Sequence, residues 1–85
     1  MGGDDLNYDL LKTFVTVAEK KSFSKAAYIL HLSQPTITSH IKRLESELEL
    51  TLFKRSTKQI SLTQAGKLLY RYATDIINLY DKAKS

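Results

Sequence analysis

The chain has 85 residues, so it forms one small domain near the lower limit of what a hydrophobic core stabilises without cross-links. Its 42% hydrophobic and 26% charged residues argue against extensive disorder, and the lack of cysteine excludes disulfides and thiolate metal sites. No apolar run approaches the roughly 18 residues that span a bilayer. The net charge of +4 permits nucleic-acid binding without requiring it.

The distribution of charge is more informative than its sum. Residues 1–25 carry four basic and four acidic side chains, whereas residues 54–71 carry five basic side chains and no acidic one. Residues 1–7 are predicted to be a flexible leader, because they contain neither the basic nor the apolar segment of a signal peptide. The basic stretch is the first indication of an anionic partner.

Two helices are predicted in the first third of the chain. Apolar side chains recur at i, i+3, i+4 and i+7 over Tyr8–Glu19, which is typical of a helix with one buried face. Ser22 can cap a short second helix over Phe23–Leu30, because its hydroxyl accepts from a free N–H group at the helix start. Residues 31–33 are long enough only for a tight turn.

A third helix is predicted after Ser33, which is placed as its N-cap. Pro35 falls in the first turn, where its missing N–H costs nothing. The apolar residues are three or four apart and form one narrow stripe, and the pattern breaks after Glu49. The opposite face carries short hydrogen-bonding side chains followed by cations: Gln34, Thr36, Thr38, Ser39, Lys42 and Arg43.

Residues 52–62 change to an extended pattern. Two short segments, 52–55 and 59–62, flank the polar turn 56–58 and predict a hairpin. A two-stranded hairpin is not stable alone, so this one is expected to pack on the helices.

Thr63 can cap a fourth helix over residues 64–84, about 30 Å long. Gly66 in its interior costs roughly 1 kcal/mol relative to alanine, which predicts a close backbone approach there. One side of this helix is too apolar for so small a body, and we expect it to pair with a second chain. The dimerisation residues are predicted to be Leu69, Tyr72, Ala73, Ile76, Leu79, Tyr80 and Ala83.

The order of these elements resembles the N-terminal domain of the LysR-type transcriptional regulators, over about Leu10 to Ala83. Each matching stretch is weak alone, but six occur in the family's order and spacing. They are Phe14-Val15-x-Val17-Ala18-Glu19, Ser22-Phe23-Ser24-Lys25-Ala26-Ala27, Leu32-Ser33-Gln34-Pro35-Thr36-Ile37-Thr38, Ile41-Lys42-Arg43-Leu44-Glu45, Leu52-Phe53-Lys54-Arg55 and Leu62-Thr63-x-Ala65-Gly66.

The resemblance implies a mainly α fold: a winged helix-turn-helix of three helices and a two-stranded wing over residues 8–63, then a linker and dimerisation helix over residues 64–85. It implies a homodimer that binds double-stranded DNA at an inverted repeat in the bacterial cytoplasm, at the nucleoid. Many full-length members are tetramers. The family's second domain, which binds a small-molecule effector, is expected to be absent from this chain. No cofactor, metal ion or membrane partner is expected.

The start of the third helix is the expected base-reading element, because in a helix-turn-helix it enters the major groove. Glutamine can pair bidentately with adenine, which discriminates by roughly 1–3 kcal/mol, and the family's Gln-Pro pair reads half-site ends. Ser39 departs from the family, since many members carry a basic residue there. Gln34 could alternatively be merely solvated. The predicted base-reading residues are Gln34, Pro35, Thr36, Thr38 and Ser39.

Backbone phosphates are expected to meet the start of the second helix, the end of the third and the wing. The predicted contacts are Ser24, Lys25, His40, Lys42, Arg43 and Arg55. Lys58 lies where the family's wing often places an arginine in the minor groove, and a lysine can also enter a narrow A·T-rich groove. Surface pairing of Lys42 and Arg43 with nearby glutamates is the alternative for those two cations.

Two other classes of function fit the sequence less well. An enzyme is disfavoured because no carboxylate is spaced to orient His31 or His40 as a catalytic base, and no glycine-rich phosphate loop is present. A winged helix that binds protein is the alternative to DNA binding. It would present an apolar outer face on the third helix, whereas this face is polar and cationic.

Overall fold

The structure is a computed structural model that describes residues 8–55 and 59–84, without the side chain of Arg55. The predicted leader, residues 1–7, and the turn 56–58 lie outside the described residues. The elements are α1 (Tyr8–Lys20), α2 (Phe23–Leu30), α3 (Gln34–Leu48), β1 (Phe53–Arg55), β2 (Ile60–Leu62) and α4 (Gln64–Lys84). Their order confirms the predicted three helices, hairpin and long helix.

Hydroxyl caps begin three of the helices, as predicted. The side-chain oxygens of Ser22, Ser33 and Thr63 each accept from the backbone N–H three residues further on, at 3.0, 3.2 and 2.9 Å. His31 and Glu49 end α2 and α3 in the left-handed conformation, with φ of 59° and 57°. Because these signals are local, the predicted boundaries are correct to within one or two residues.

One hydrophobic core joins α1, α2, α3 and the wing. Phe14 of α1 and the inward stripe of α3 (Ile37, Ile41 and Leu44) have no exposed surface. Ala26 of α2 is equally buried, and its small side chain allows α2 to approach closely. The stripe predicted for α3 is therefore its core face, which directs the opposite face to solvent.

The wing packs on this core through Phe53. The Phe53 ring is 5% exposed and lies 5.5 Å from the ring of Phe14 and 6.1 Å from that of Phe23, between centroids. The backbone N–H of Leu52 donates to Glu45 Oε2 at 2.8 Å, which connects the start of the hairpin to the end of α3. Strands β1 and β2 pair antiparallel, with Phe53 opposite Leu62. These contacts supply the support that a two-stranded hairpin lacks alone.

Helix α4 runs antiparallel along α1. The Tyr70 hydroxyl donates to Glu19 Oε2 at 2.9 Å near one end, and the Tyr8 hydroxyl donates to Asp81 Oδ1 at 3.1 Å near the other. The rings of Tyr8 and Tyr80 are 4.4 Å apart, between centroids.

Burial raises the pKa of the Tyr70 phenol, and the hydrogen bond to Glu19 raises it further. Burial raises the pKa of Tyr8 too, with a smaller contribution from Asp81.

The packing of α4 corrects the predicted dimerisation set. Ala73 is fully buried inside its own chain and Leu69 is half-buried against the core, so neither lies on the outer face. Ile77, which was not in the predicted set, joins the core at 6% exposed. Leu68 is 52% exposed and belongs to the outer face, because it lies one helical turn before Tyr72. The exposed large apolar side chains of α4 are Leu68, Tyr72, Ile76, Leu79 and Tyr80.

The architecture is a winged helix-turn-helix followed by a long C-terminal helix. In the part of the chain that the structure describes, no helix combines the length and hydropathy needed to cross a membrane. The longest dimension of the molecule is 40 Å. Helices α3 and α4 are separate elements of this body, and each has exposed side chains.

Candidate nucleic-acid interface

The outer face of α3 forms an open depression on the molecular surface. Because the core holds Ile37, Ile41 and Leu44 on one side of the helix, the residues between them project outward. The depression is lined by Gln34, Pro35, Thr38, Ser39, Lys42 and Arg43. All six were predicted as DNA contacts, and the structure brings them together on one face.

Thr36 takes part in the cap at the start of α3. Its hydroxyl lies 2.8 Å from the hydroxyl of Ser33, and its backbone N–H donates to the same oxygen. Thr36 is half-buried and does not line the depression. The contact with Ser33 holds the Thr36 side chain at the helix start, and its predicted contact with a base stays a prediction.

The two cations of α3 differ in their surroundings. The Nε atom of Arg43 donates to Glu47 Oε2 at 3.1 Å, one helical turn further along. This is the surface pairing that the sequence left open, and such exposed pairs are worth at most about 0.5 kcal/mol. Lys42 is exposed on the same face. Glu45, the nearest other candidate partner, accepts from the Leu52 backbone instead.

His40 lies beside the outer face of α3 and does not line its depression. Its Nδ1 atom is 2.8 Å from Oγ1 of Thr13, a buried residue of α1. It also lines a small hollow with Asp9, Lys12, Leu30 and Leu32, apart from the depression on α3. This half-buried ring therefore links α3 to α1 while keeping part of its surface exposed.

The start of α2 offers a second group of predicted contacts. Ser24 and Lys25 are exposed and line a shallow pocket with Lys20, Tyr28 and Ile29. The Lys25 backbone N–H is already used by the Ser22 cap, so the lysine would contribute its ammonium group. Tyr28, which was not predicted as a contact, is 85% exposed one turn beyond Ser24.

The wing carries the remaining predicted residues. Lys54 is exposed on β1, and the backbone of Arg55 lies opposite Ile60 across the hairpin. The Arg55 side chain and Lys58, the predicted minor-groove residue, lie outside the described residues. Their assigned roles stay predictions.

The arrangement suits a polyanion rather than a small substrate. Hydrogen-bonding side chains and the cations Lys42 and Arg43 line one open face, and further exposed lysines lie on α2 and β1. Within residues 8–55 and 59–84 there is no group of three or more side chains able to hold a metal ion. Sequence reasoning missed Thr13, Tyr28 and Leu68. The spacing of Leu68 from Tyr72 was visible, whereas nothing in the sequence indicated that Thr13 meets His40.

The sequence profile of the bacterial regulatory helix-turn-helix proteins of the lysR family matches residues 8–67 of this chain. Among curated proteins, the HTH-type transcriptional regulator CysL of Bacillus subtilis is 46% identical over 78 residues, which is 92% of this chain and 26% of that protein. The transcriptional regulator CitR of the same species is 42% identical over 78 residues, with 27% of its length covered. The chain thus spans about a quarter of the length of these relatives.

A solved structure of similar shape is the CbnR DBD–DNA complex, with a TM-score of 0.88 and 37% identity over 93% of this chain and 91% of that one. The profile covers more than half of the chain, and the order of helices and strands matches what the family resemblance implied. The chain therefore belongs to the lysR family of bacterial regulatory helix-turn-helix proteins.

Proposed function

We propose that this chain binds double-stranded DNA in a sequence-specific manner, as the DNA-binding part of a bacterial transcription regulator. The observation that carries the proposal is the outer face of α3, where the six predicted contacts line one open depression. A polar and cationic face matches base edges and phosphates, whereas a winged helix that docks on protein would favour an apolar one. Relatives named as transcriptional regulators support the same function. On this proposal the protein works in the cytoplasm, on the nucleoid.

The proposed docking places α3 in the major groove. Gln34, at the start of the helix, would meet a base edge and can pair with adenine. Thr38 and Ser39 would meet neighbouring bases, and Pro35 would offer an apolar surface. Since Ser39 replaces the cation found in many family members, we propose that this chain has its own base preference at that position.

Affinity would come from cations around the reading face. Lys25 on α2 and Lys42 and Arg43 on α3 are exposed and can contact phosphates on either side of the groove. Arg55 and Lys58 of the wing are proposed to meet the backbone and the adjacent minor groove. These contacts fix the position of the domain on the duplex, while the bases select the sequence.

We further propose that two chains pair through α4. Five large apolar side chains are exposed along this helix, and the most exposed of them is Leu79, at 67%. An apolar stripe of this kind on a small soluble domain indicates a partner surface. Symmetric pairing would set two reading helices about 34 Å apart, one duplex turn, so the target would be an inverted repeat.

The test is selection of bound duplexes from a random library, followed by affinity measurements at increasing salt. An enriched inverted repeat and a steep loss of affinity between low and moderate salt are expected, because phosphate contacts release counterions. Flat salt dependence, or no enriched sequence, would overturn the proposal.

Individual contacts are tested with charge-matched variants. Lys42→Ala and Lys58→Ala should each lower the salt slope by about one unit. Lys82→Ala removes the same charge from the far end of α4 and should leave the slope unchanged.

Gln34→Ala should relax the preference at one base position in each half-site. An unaltered base preference would show that Gln34 does not contact a base.

A further inference from the structure

Thr13 and His40 form a hydrogen bond that joins the core to the edge of the reading helix. Thr13 lies in the middle of α1 and is 1% exposed, whereas His40 is half-buried on α3. The Thr13 Oγ1 and His40 Nδ1 atoms are 2.8 Å apart, although the residues are 27 positions apart in the chain. Either atom could supply the proton, so the surroundings of Thr13 decide which one does.

The surroundings of Thr13 favour its hydroxyl as the donor. A buried O–H group needs an acceptor, because leaving it unpaired away from water is costly. Thr16, one turn along α1, satisfies this need by donating to the carbonyl of Lys12 at 2.8 Å. Thr13 has no corresponding bond to a carbonyl within residues 8–55 and 59–84, and at 1% exposed it is withdrawn from bulk solvent. The Nδ1 atom of His40 is therefore its acceptor.

This bond selects one form of the imidazole. A neutral histidine has one protonated and one unprotonated nitrogen, so a ring that accepts at Nδ1 carries its proton on Nε2. The two nitrogens are separated by one carbon of the ring and point in different directions, so the Nε2–H group is directed away from the Thr13 hydroxyl. No partner for Nε2 occurs in the described part of the chain.

The surroundings of the ring suit a phosphate oxygen. His40 follows Ser39 of the reading face, so it lies where α3 would pass the strand that borders the groove. Lys12 lines the same hollow as His40 and adds a positive charge. Asp9 also lines the hollow, and its negative charge opposes an anion that penetrates deeply. A phosphate at the rim of the hollow would accept from Nε2–H and gain from the positive charge of Lys12. It would also avoid a close approach to Asp9.

We propose that Thr13 is a positioning residue for DNA binding: its hydroxyl holds His40 in the tautomer whose Nε2–H donates to a backbone phosphate beside the reading helix. The inference rests on the proposed function, since it assigns a role within that same DNA-binding surface. Thr13 is buried and would not touch DNA itself, so it would act on binding only through His40. The contribution would be to affinity and not to base choice, because phosphate contacts are independent of sequence.

The first experiment measures the tautomer directly in the full chain without DNA. Nitrogen-15 NMR of labelled histidine, recorded well above the pH at which histidine titrates, should show His40 protonated on Nε2. His31, exposed in the turn after α2, is the internal reference and should show the usual mixture of Nδ1–H and Nε2–H tautomers. Thr13→Val keeps the shape of the side chain without the hydroxyl and should bring His40 to the same mixture, whereas Thr13→Ser should retain the Nε2–H form.

The second experiment measures affinity for a selected duplex. Thr13→Val and His40→Asn should weaken binding by about tenfold, the usual effect of losing one hydrogen bond to a charged group. Thr13→Ser and His40→Gln should bind like the unmodified chain, because glutamine places an N–H donor near the position of Nε2. Circular dichroism checks that each variant is folded.

The outcomes are distinguishable. If His40 is protonated on Nδ1 or shows a mixture in the unmodified chain, the tautomer assignment is wrong. If the unmodified chain binds DNA and the folded Thr13→Val variant binds equally well, Thr13 has no positioning role. If the unmodified chain fails to bind any duplex, the proposed function itself is overturned, whatever the tautomer.

Discussion

Gly66 of α4 lies directly against the backbone carbonyl of Leu52, at the entrance to the wing. A methyl group on Gly66 would clash with the Leu52 oxygen and would approach the Leu62 side chain to 2.9 Å. Thr63, one turn earlier, donates to the carbonyl of Thr51 and completes the contact between helix and hairpin. The glycine is therefore required for α4 to pack against the base of the wing, as its position in a helix interior predicted.

Gly66→Ala should destabilise the domain even though alanine is the better helix former. The intrinsic gain is about 1 kcal/mol, whereas forcing a methyl against a backbone atom costs about 1–3 kcal/mol and also shifts the wing. We expect a net loss of about 1 kcal/mol, or a melting temperature lower by roughly 4–8 °C. Lys67→Ala, at an exposed neighbouring position, is the control. A more stable Gly66→Ala variant would contradict the packing.

Stability should fall at high pH through the tyrosines that join α1 to α4. The folded chain raises the pKa of Tyr70, because burial and the Glu19 bond disfavour the phenolate. A raised pKa contributes stability that is complete below the unfolded value of about 10 and is lost as pH rises through the folded pKa.

Thermal unfolding followed across this alkaline range should therefore show a smaller decline for Tyr70→Phe than for the unmodified chain. Tyr28→Phe removes a phenol that is 85% exposed and should leave the decline unchanged. Equal declines in the unmodified chain and in Tyr70→Phe would show that this phenol ionises equally in the folded and unfolded states.

Glu47→Gln should strengthen DNA binding while barely changing stability. The exposed Arg43–Glu47 pair contributes at most about 0.5 kcal/mol, so its loss has little effect on unfolding. The change removes a negative charge and releases Arg43 toward a phosphate, and we expect affinity to rise a few-fold at low salt. Glu49→Gln removes an equal charge without releasing Arg43 and should give a smaller gain. If both variants gain equally, only net charge is responsible.

Leu79→Asp should prevent the chains from pairing. Leu79 is 67% exposed in the single chain, so the substitution leaves the core intact and places a charge in the proposed interface. Sedimentation at about tens of micromolar, where a working dimer should persist, should give a monomer for this variant. Asn78→Asp introduces the same charge at an exposed neighbouring position and should remain dimeric. A dimeric Leu79→Asp variant would move the interface away from this face.

Sequence alone determined the elements and the composition of the outer face of α3. The caps at Ser22, Ser33 and Thr63 act within three residues, and the apolar stripe of α3 repeats every turn, so both are visible without knowledge of the fold. Once the stripe containing Ile37 and Ile41 is known, the opposite face follows from helical geometry. That is why all six residues of the depression could be predicted.

Only the tertiary structure decided contacts between distant elements. Leu68 and Leu69 both continue a helical spacing, and only the packing of α4 on α1 made one outer and the other half-buried. The same packing buried Ala73, which spacing had assigned to a partner chain. The bond between Thr13 and His40 joins positions 27 residues apart, and no repeating pattern in the sequence indicates it. Periodicity reports that a face is apolar, but the identity of what covers it depends on how the helices pack.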